Sequence, residues 1–575
     1  MGLSRRKQAP LISGRSQSGT QRRHASTTRK SKLPDTPART RFAPSPTGNL
    51  HLGSIRTALF NYLLARRTNG QFLLRIEDTD QKRTVPGAEE QLYEDLRWAG
   101  LQWDEGPTVG GQFGPYRQSE RTATYHKHVQ TLLESNKAYR CFCSAERIDN
   151  LNRLRHDRGL PLGYDRACAG LAPYVAEEKA HNGEAHVIRF RVPKEYPKFN
   201  DFVYGKTGHG MERSKKLLVD EPVYDDPILI KSDGFPTYHF ANVVDDKLME
   251  ITHVIRGSEW MSSTPLHVAL YEAFGWTPPA FGHVPLLVDQ NKQKLSKRNF
   301  DSDIASFRRS GIFPESLINF AALLGWSHQR KNDIMNLQEL QEIFDLKFTK
   351  GNTIVSFDKL RYLQEQHARR RVVASGEELE QMIRDVAIVL LEKHGAGTMT
   401  TFVGKRQLRD VVASMLQVTS LPYRSATDFA EQCALFLDDL KRPSLAVNDV
   451  YMLRRLRVAG ATLCLVPNGN WTKDVHRANL MNLQMEEHAE NDSAIGKKWK
   501  HELYHYLRWA LLGGTAGPGI PETMEILGRS VCVERLQSAA LATKDLETMA
   551  TKPDLGMIPR GREWQQHTLA STAVV

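Results

Sequence analysis

The sequence predicts an α/β fold in which a parallel sheet is interrupted by an α+β insertion and followed by an all-helical region. Three observations predict it. A strand-like start runs into the irregular corner "RFAPSPTGNLHLGS" (41–54) and then into a helical pattern. A second apolar run, "QFLLRIEDTD" (71–80), follows that helix and ends in acids. From about residue 335 the texture becomes helical, as in "ELEQMIRDVAIVLLEKHG" (378–395).

The chain opens on a basic leader. Residues 1–40 hold ten Lys or Arg against Asp35, most of the net charge of +12 carried by the 575 residues. Basicity is therefore poor evidence for a nucleic-acid partner, since only about +3 is left for the rest. The leader, 1–38, is rich in Arg, Ser and Thr and lacks the continuous apolar core of a secretory signal. Its composition predicts a mitochondrial or plastid transit peptide, with an uncleaved basic tail as the alternative. A run of 18 apolar residues is missing, so no membrane span is expected. Six cysteines in 575 residues make no disulfide framework and fit a reducing compartment such as the mitochondrial matrix.

In the corner, Pro44 and Pro46 remove backbone donors and fix φ, so no regular element passes through them. Ile55, Ala58, Leu59, Tyr62 and Leu63 then recur at i, i+3, i+4, i+7 and i+8, the apolar face of a helix running to about Arg67. Phe72–Ile76 reads as a buried strand. Strand, glycine-bearing corner, helix and strand open a βαβ unit, which binds ligands at its strand ends against the helix N-terminus. Residues near 141–235, with "HVIRFRVP" (186–193), read as the insertion. "YHFANVVDD" to "FGWTPP" (238–279) returns to strand and helix and completes the sheet.

His51-Leu-Gly-Ser54 sits where a strand meets a helix start, and there backbone N–H groups and the helix dipole favour an anion. Gly53 allows a purine or phosphate chain close to the backbone. His51 can donate a hydrogen bond to phosphate oxygens as charge builds. Alone, a loop histidine is more often structural. "KLSKR" (294–298) puts cations and a hydroxyl in a polar loop, a clamp for a triphosphate or simply an exposed basic loop. Cys141, Cys143, Tyr164 and Cys168 are the metal-like constellation. Two readings stay open there, three legs of a tetrahedral zinc site or three free cysteines.

Taken together, the glycine–histidine corner and the distant Lys-Ser-Lys loop resemble the HIGH and KMSKS signatures of class I aminoacyl-tRNA synthetases. Ser54 and Leu295 depart from that consensus. The words "RFAPSPTG", "RIEDTD", "PTYHFANVVDD", "VIRGSEW" and "FGHVPLLVDQNKQKLSKR" are similar to glutamyl-tRNA synthetases of the bacterial and organellar type. The likeness is strong over about 38–365 and weaker to the end.

The resemblance implies a Rossmann-type catalytic domain in two halves (39–140 and 236–285) around an acceptor-binding insertion (141–235). A loop and stem-contact region (286–365) and a helical anticodon-binding domain (366–575) follow. It implies ATP with Mg2+, L-glutamate and tRNA-Glu as partners, with tRNA-Gln left open, and a monomer. His51, Lys294 and Lys297 become the catalytic residues, handling the ATP phosphates. Arg41 and Arg256 become the clamp on the glutamate side-chain carboxylate, with Phe42, Tyr238 and Asn242 beside them. Ala43, Ser45 and Glu77 are expected at the α-amino end. Pro46, Thr47, Gly48, Gly53, Ser54, Glu259, Trp260, Leu295, Ser296 and Arg298 complete the nucleotide site. Zinc at Cys141, Cys143, Tyr164 and Cys168 occurs in part of the family.

Overall fold

The computed structural model describes residues 33–160, 162–208, 225–295, 303–445, 449–485 and 493–550. In chain order its strands are β1 (Arg39–Phe42), β2 (Gln71–Leu74), β3 (Ala138–Cys141), β4 (Val187–Phe190), β5 (Phe199–Asp201), β6 (Gly205–Thr207), β7 (Ile228–Ile230), β8 (His253–Gly257), β9 (Ala280–Val284), β10 (Leu287–Val288) and β11 (Thr353–Ile354).

β1 and β2 pair in parallel, with the helix Leu52–Arg67 as the crossover between them. β8 lies beside β1, where Thr252 N donates to Arg39 O at 2.9 Å. β8 is parallel to β9, and β9 is parallel to β5. The hairpin β5–β6 comes from within the stretch read as an insertion, yet it extends the sheet that holds β8 and β9. The rest of that stretch supplies β4 and β7, which join β3, just ahead of it in the chain, in an antiparallel sheet of their own.

Two details differ from the sequence reading. The strand expected over 72–76 ends at Leu74, because after Arg75 N bonds Phe42 O, Ile76 bridges to Arg117 instead. The helix Leu52–Arg67 is buried on more than one face. Besides Ile55, Ala58, Leu59 and Leu63, Phe60 and Leu64 are fully buried. One side lies on the strands and the other meets the helix Pro314–Leu323 and Phe344, whose ring centroid is 6.1 Å from that of Phe60. A helix buried between two layers reads apolar all round.

The C-terminal part is helical. Its first long helix, Glu377–Val403, bends at Gly395, where φ is 78° and only glycine is relaxed. Phe429, Phe436, Leu507, Leu511 and Met524 form a separate apolar core there. Among the described residues no helix is long and apolar enough to cross a membrane.

Candidate active site

β1 and β8 end side by side, and the helix Leu52–Arg67 begins at those ends. A cavity of about 600 Å³ opens there. Arg41, Phe42, Ala43, Ser45, Thr47, Gly48, His51, Gly53 and Ser54 line it from the corner. Glu77 arrives after β2, Tyr238 and Asn242 from the start of the helix Tyr238–Leu248, and Arg256, Glu259 and Trp260 from the end of β8. Lys294 and Leu295 close one side. Pro46 faces a neighbouring cavity of about 820 Å³, which shares Ser45, Thr47, Glu77 and Tyr238 with the first. Ser296, Lys297 and Arg298 lie outside the described residues.

His51 caps its helix, with Nδ1 accepting from Ser54 N at 3.2 Å. That bond puts the proton of a neutral imidazole on Nε2, which lies 3.1 Å from Ser54 Oγ. A Cβ on Gly53 would come within 3.0 Å of the His51 ring, so glycine lets the imidazole fold over the helix start. Serine at 54 therefore orients the histidine through both its N–H and its hydroxyl.

The arginines of the cavity differ in what they touch. Arg41 meets Asp246 with two hydrogen bonds of 3.1 Å. Asp246 also accepts from the fully buried Arg75 at 2.7 Å, and Arg75 reaches Glu77 at 3.1 Å. Burial raises the Glu77 carboxyl above its usual range, against the pull of Arg75 and Arg41. Asn242 Nδ2 donates to Glu77 at 3.0 Å, while Asn242 Oδ1 is buried with no hydrogen-bond partner among the described residues. Arg256 is only 4% exposed, and its partners are neutral. They are Thr264 Oγ1 at 2.8 Å, His283 Nε2 at 3.2 Å and His267 Nδ1 at 3.3 Å. Among the described residues no carboxylate lies within ion-pair distance of it. Burial lowers its basicity, yet guanidinium stays charged across the physiological range.

Sequence reading missed Arg56. It lines the cavity, donates to Leu324 O at 3.1 Å and to Pro285 O at 2.7 Å, and is lowered by burial to about 10. Its signal was present, an arginine on the Leu52–Arg56–Phe60 stripe of an apolar helix. Thr264, His267 and His283 carried no local signal, because they meet Arg256 only through the fold.

The chain matches the family described as "tRNA synthetases class I (E and Q), catalytic domain" over residues 37–362 and an "Anticodon binding domain" over 423–540. It is 40% identical over 513 residues to the mitochondrial glutamate–tRNA ligase of Saccharomyces cerevisiae, covering 88% of this chain and 90% of that one. This chain belongs to the glutamate–tRNA ligases, class I aminoacyl-tRNA synthetases. The ligase of Clostridioides difficile is 36% identical over 508 residues, 87% of this chain and 98% of that one. A crystal structure of the Elizabethkingia meningosepticum glutamate tRNA ligase, in complex with its amino acid, superposes with a TM-score of 0.70 at 30% identity. It covers 88% of this chain and 99% of that one.

Away from the cavity, this ligase gathers the four residues of the cysteine constellation. The sulfurs of Cys141, Cys143 and Cys168 lie within 4.8 Å of one another. Tyr164 Oη is 3.2 Å from Cys141 Sγ and 3.7 Å from Cys143 Sγ. The Arg189 guanidinium stacks on the Tyr164 ring at 4.1 Å, and Arg147 Nη1 donates to Cys143 Sγ at 3.4 Å. The Cys141 thiol is pulled down, with the Tyr164 and Arg189 contacts outweighing burial, whereas burial pushes Cys143 up to about 11. Three soft sulfurs and a phenol oxygen converging on one point form a donor set that fits a tetrahedral zinc ion.

Proposed function

We propose that the chain joins L-glutamate to tRNA-Glu through a glutamyl-adenylate, in the mitochondrial matrix. The observation that carries the amino-acid choice is Arg256, a buried cation on the cavity whose hydrogen-bond partners are all neutral. Such a group is matched by a ligand carboxylate and is poorly served by an amide. Arg41 shares its charge with Asp246 and so acts as the lesser arm of the clamp. Tyr238 and Asn242 add hydrogen bonds, and Phe42 forms a wall beside them. Glu77, the orphan Asn242 Oδ1, Ala43 and Ser45 suit the α-ammonium group.

In the first step a glutamate α-carboxylate oxygen attacks the ATP α-phosphorus. The bond to the bridging oxygen breaks and pyrophosphate leaves. Positioning and charge stabilisation govern such transfers. The helix N-terminus at Gly53 and the His51 imidazole bind the phosphates, and Lys294 with Lys297 takes up charge on the departing pyrophosphate. Thr47, Gly48, Ser54, Glu259, Trp260 and Leu295 enclose the nucleotide, with Pro46 at its edge and Ser296 and Arg298 in the lysine loop. Mg2+ bound with ATP would neutralise phosphate charge. In the second step a hydroxyl of the tRNA 3′-terminal ribose attacks the glutamyl carbonyl and AMP leaves. Zinc held by Cys141, Cys143, Cys168 and Tyr164 would tie together the acceptor-binding region. We divide the chain at 39–140, 141–235, 236–285, 286–365 and 366–575; the change from one apolar core to another near residue 366 supports the last of these boundaries. The protein is expected to act as a monomer.

Matrix localisation rests on the composition of residues 1–38 and on the mitochondrial name of the yeast relative. Deleting 1–38 should preserve charging while keeping the protein out of mitochondria on fractionation; import of the truncated chain would refute that part. The activity is tested by ATP–pyrophosphate exchange with glutamate or glutamine, with and without tRNA, followed by charging of tRNA-Glu and tRNA-Gln. Exchange supported by glutamate and not by glutamine is expected. Equal exchange with both amino acids, or none with either, would overturn the reading.

A further inference from the structure

Arg256 is held by an extended chain of buried side chains. His283, fully buried, accepts from Arg256 Nε at its Nε2, so its own proton must sit on Nδ1. That Nδ1 lies 2.6 Å from Asp201 Oδ2 on β5, which is 1% exposed. Asp201 is itself fixed: Oδ2 accepts from His283 N at 3.1 Å, and Oδ1 accepts from Val203 N at 2.8 Å and Tyr204 N at 2.9 Å. On the other side His267 Nδ1 faces Arg256 Nη1, so its proton sits on Nε2, 2.9 Å from His239 Nδ1. Thr264 Oγ1 accepts the third bond and lies 3.0 Å from Trp260 O.

We propose that Asp201 and His283, with His267, are positioning residues that set the specificity of the amino-acid site, by holding Arg256 through acceptors that leave its charge unmatched. The contrast with Arg41 makes the point. A carboxylate placed directly on Arg256, as Asp246 is on Arg41, would compete with the substrate's own carboxylate. An imidazole accepts the same hydrogen bond without a full charge. Asp201 fixes the tautomer from one ring away, the arrangement in which a carboxylate orients a histidine without taking its proton. Burial lowers His283, His267 and His239 and keeps all three neutral. Because β5 comes from the inserted stretch and His283 from β9, the geometry of the glutamate site depends on the pairing of those two strands.

This inference rests on the reading that Arg256 binds the glutamate side chain, and the test separates the two. Asp201→Asn keeps the shape and offers an amide donor to His283 Nδ1. That favours the other tautomer and turns an N–H toward Arg256. Asp201→Asn should raise the glutamate KM in tRNA charging about ten- to a hundredfold, the scale of one hydrogen bond to a charged group. The ATP KM should stay within about threefold, and discrimination against glutamine should fall. His267→Asn retains an acceptor where Nδ1 stands and should keep the wild-type glutamate KM, whereas His267→Leu should raise it. This pair decides the matter if Asp201→Asn does not fold. If Arg256→Gln raises the glutamate KM while Asp201→Asn and His267→Leu leave it unchanged, the positioning role is wrong and the arginine's role stands. If Arg256→Gln also leaves it unchanged, the parent reading fails, and the positioning role fails with it.

Discussion

The two halves of the molecule bury different chemistry. The α/β half encloses ionised side chains: Arg39, Arg75, Arg121, Asp245, Asp246 and Arg256 are all less than a tenth exposed. Among the described residues beyond 376, the buried polar side chains are His476, Thr523 and Thr543, and burial lowers His476 to about 4. The helical half is held by Phe429, Phe436, Leu507 and their apolar neighbours instead. Burying charge is costly unless each ion is paired or used, so a concentration of buried ions marks the half that performs chemistry. Among its described residues the helical half has no such cluster.

Removing one member of the ionic core should produce the largest effect. Arg75→Met takes the 2.7 Å partner from Asp246 and leaves Asp245 with Arg121 as its cation. It should cost about 3–5 kcal/mol in denaturant unfolding, the scale for leaving a buried charge unpaired. Phe436→Ala in the other half should cost a similar amount, about 3–5 kcal/mol, through its cavity. The two should part in kinetics. Arg75→Met should also impair glutamate use, because Arg75 touches both Asp246 and Glu77, while Phe436→Ala should leave the KM for glutamate and ATP unchanged. Equal kinetic profiles would erase the comparison.

A smaller effect is expected at the lysine loop. Lys297→Ala should slow adenylate formation by about two to three orders of magnitude, the scale for losing one contact to transition-state charge. Glutamate binding should change little. An exchange rate within a few-fold of wild type would remove the loop from the mechanism.

The smallest effect is graded with pH. In the α/β half His239 is lowered by burial to about 4, and His253, His267 and His283 are lowered too. Above about pH 6.5 these groups are neutral in both folded and unfolded chains. As the pH falls from about 6.5 toward 4, the unfolded chain takes protons that the folded one refuses, and stability is lost. The α/β half should therefore open first on acidification, ahead of the helical half, where His367 and His476 are the lowered histidines among the described residues. Urea midpoints at several pH values, with proteolytic mapping, check this; a midpoint flat between pH 7 and 5 would contradict it.

Most of the cavity was legible because its residues cluster in short words. The corner 41–54 needs prolines and glycines that no regular element tolerates, and Lys294 stands in a conspicuously basic loop. Tyr238 and Asn242 are one turn apart on a helix, a spacing visible in the sequence. Asp246 on Arg75 joins positions 171 residues apart, and His283 on Asp201 joins positions 82 apart. No local pattern marks such pairs, since a buried ion and a solvated one look alike in a sequence. The same limit hid the contribution of β5. The stretch around Phe199–Asp201 reads as part of an insertion, and only its pairing with β9 brings Asp201 under the site.

The central claim is that Arg256 selects glutamate by offering an unmatched buried charge, and kinetics of Arg256→Gln test it most directly. KM values for glutamate, ATP and tRNA are measured in parallel in the charging reaction. Losing a charge-paired hydrogen bond costs roughly 2–5 kcal/mol, so the glutamate KM should rise by about thirty- to several-thousand-fold while the other two hold. Glutamine should become relatively less disfavoured. A wild-type glutamate KM in the folded variant would contradict the account.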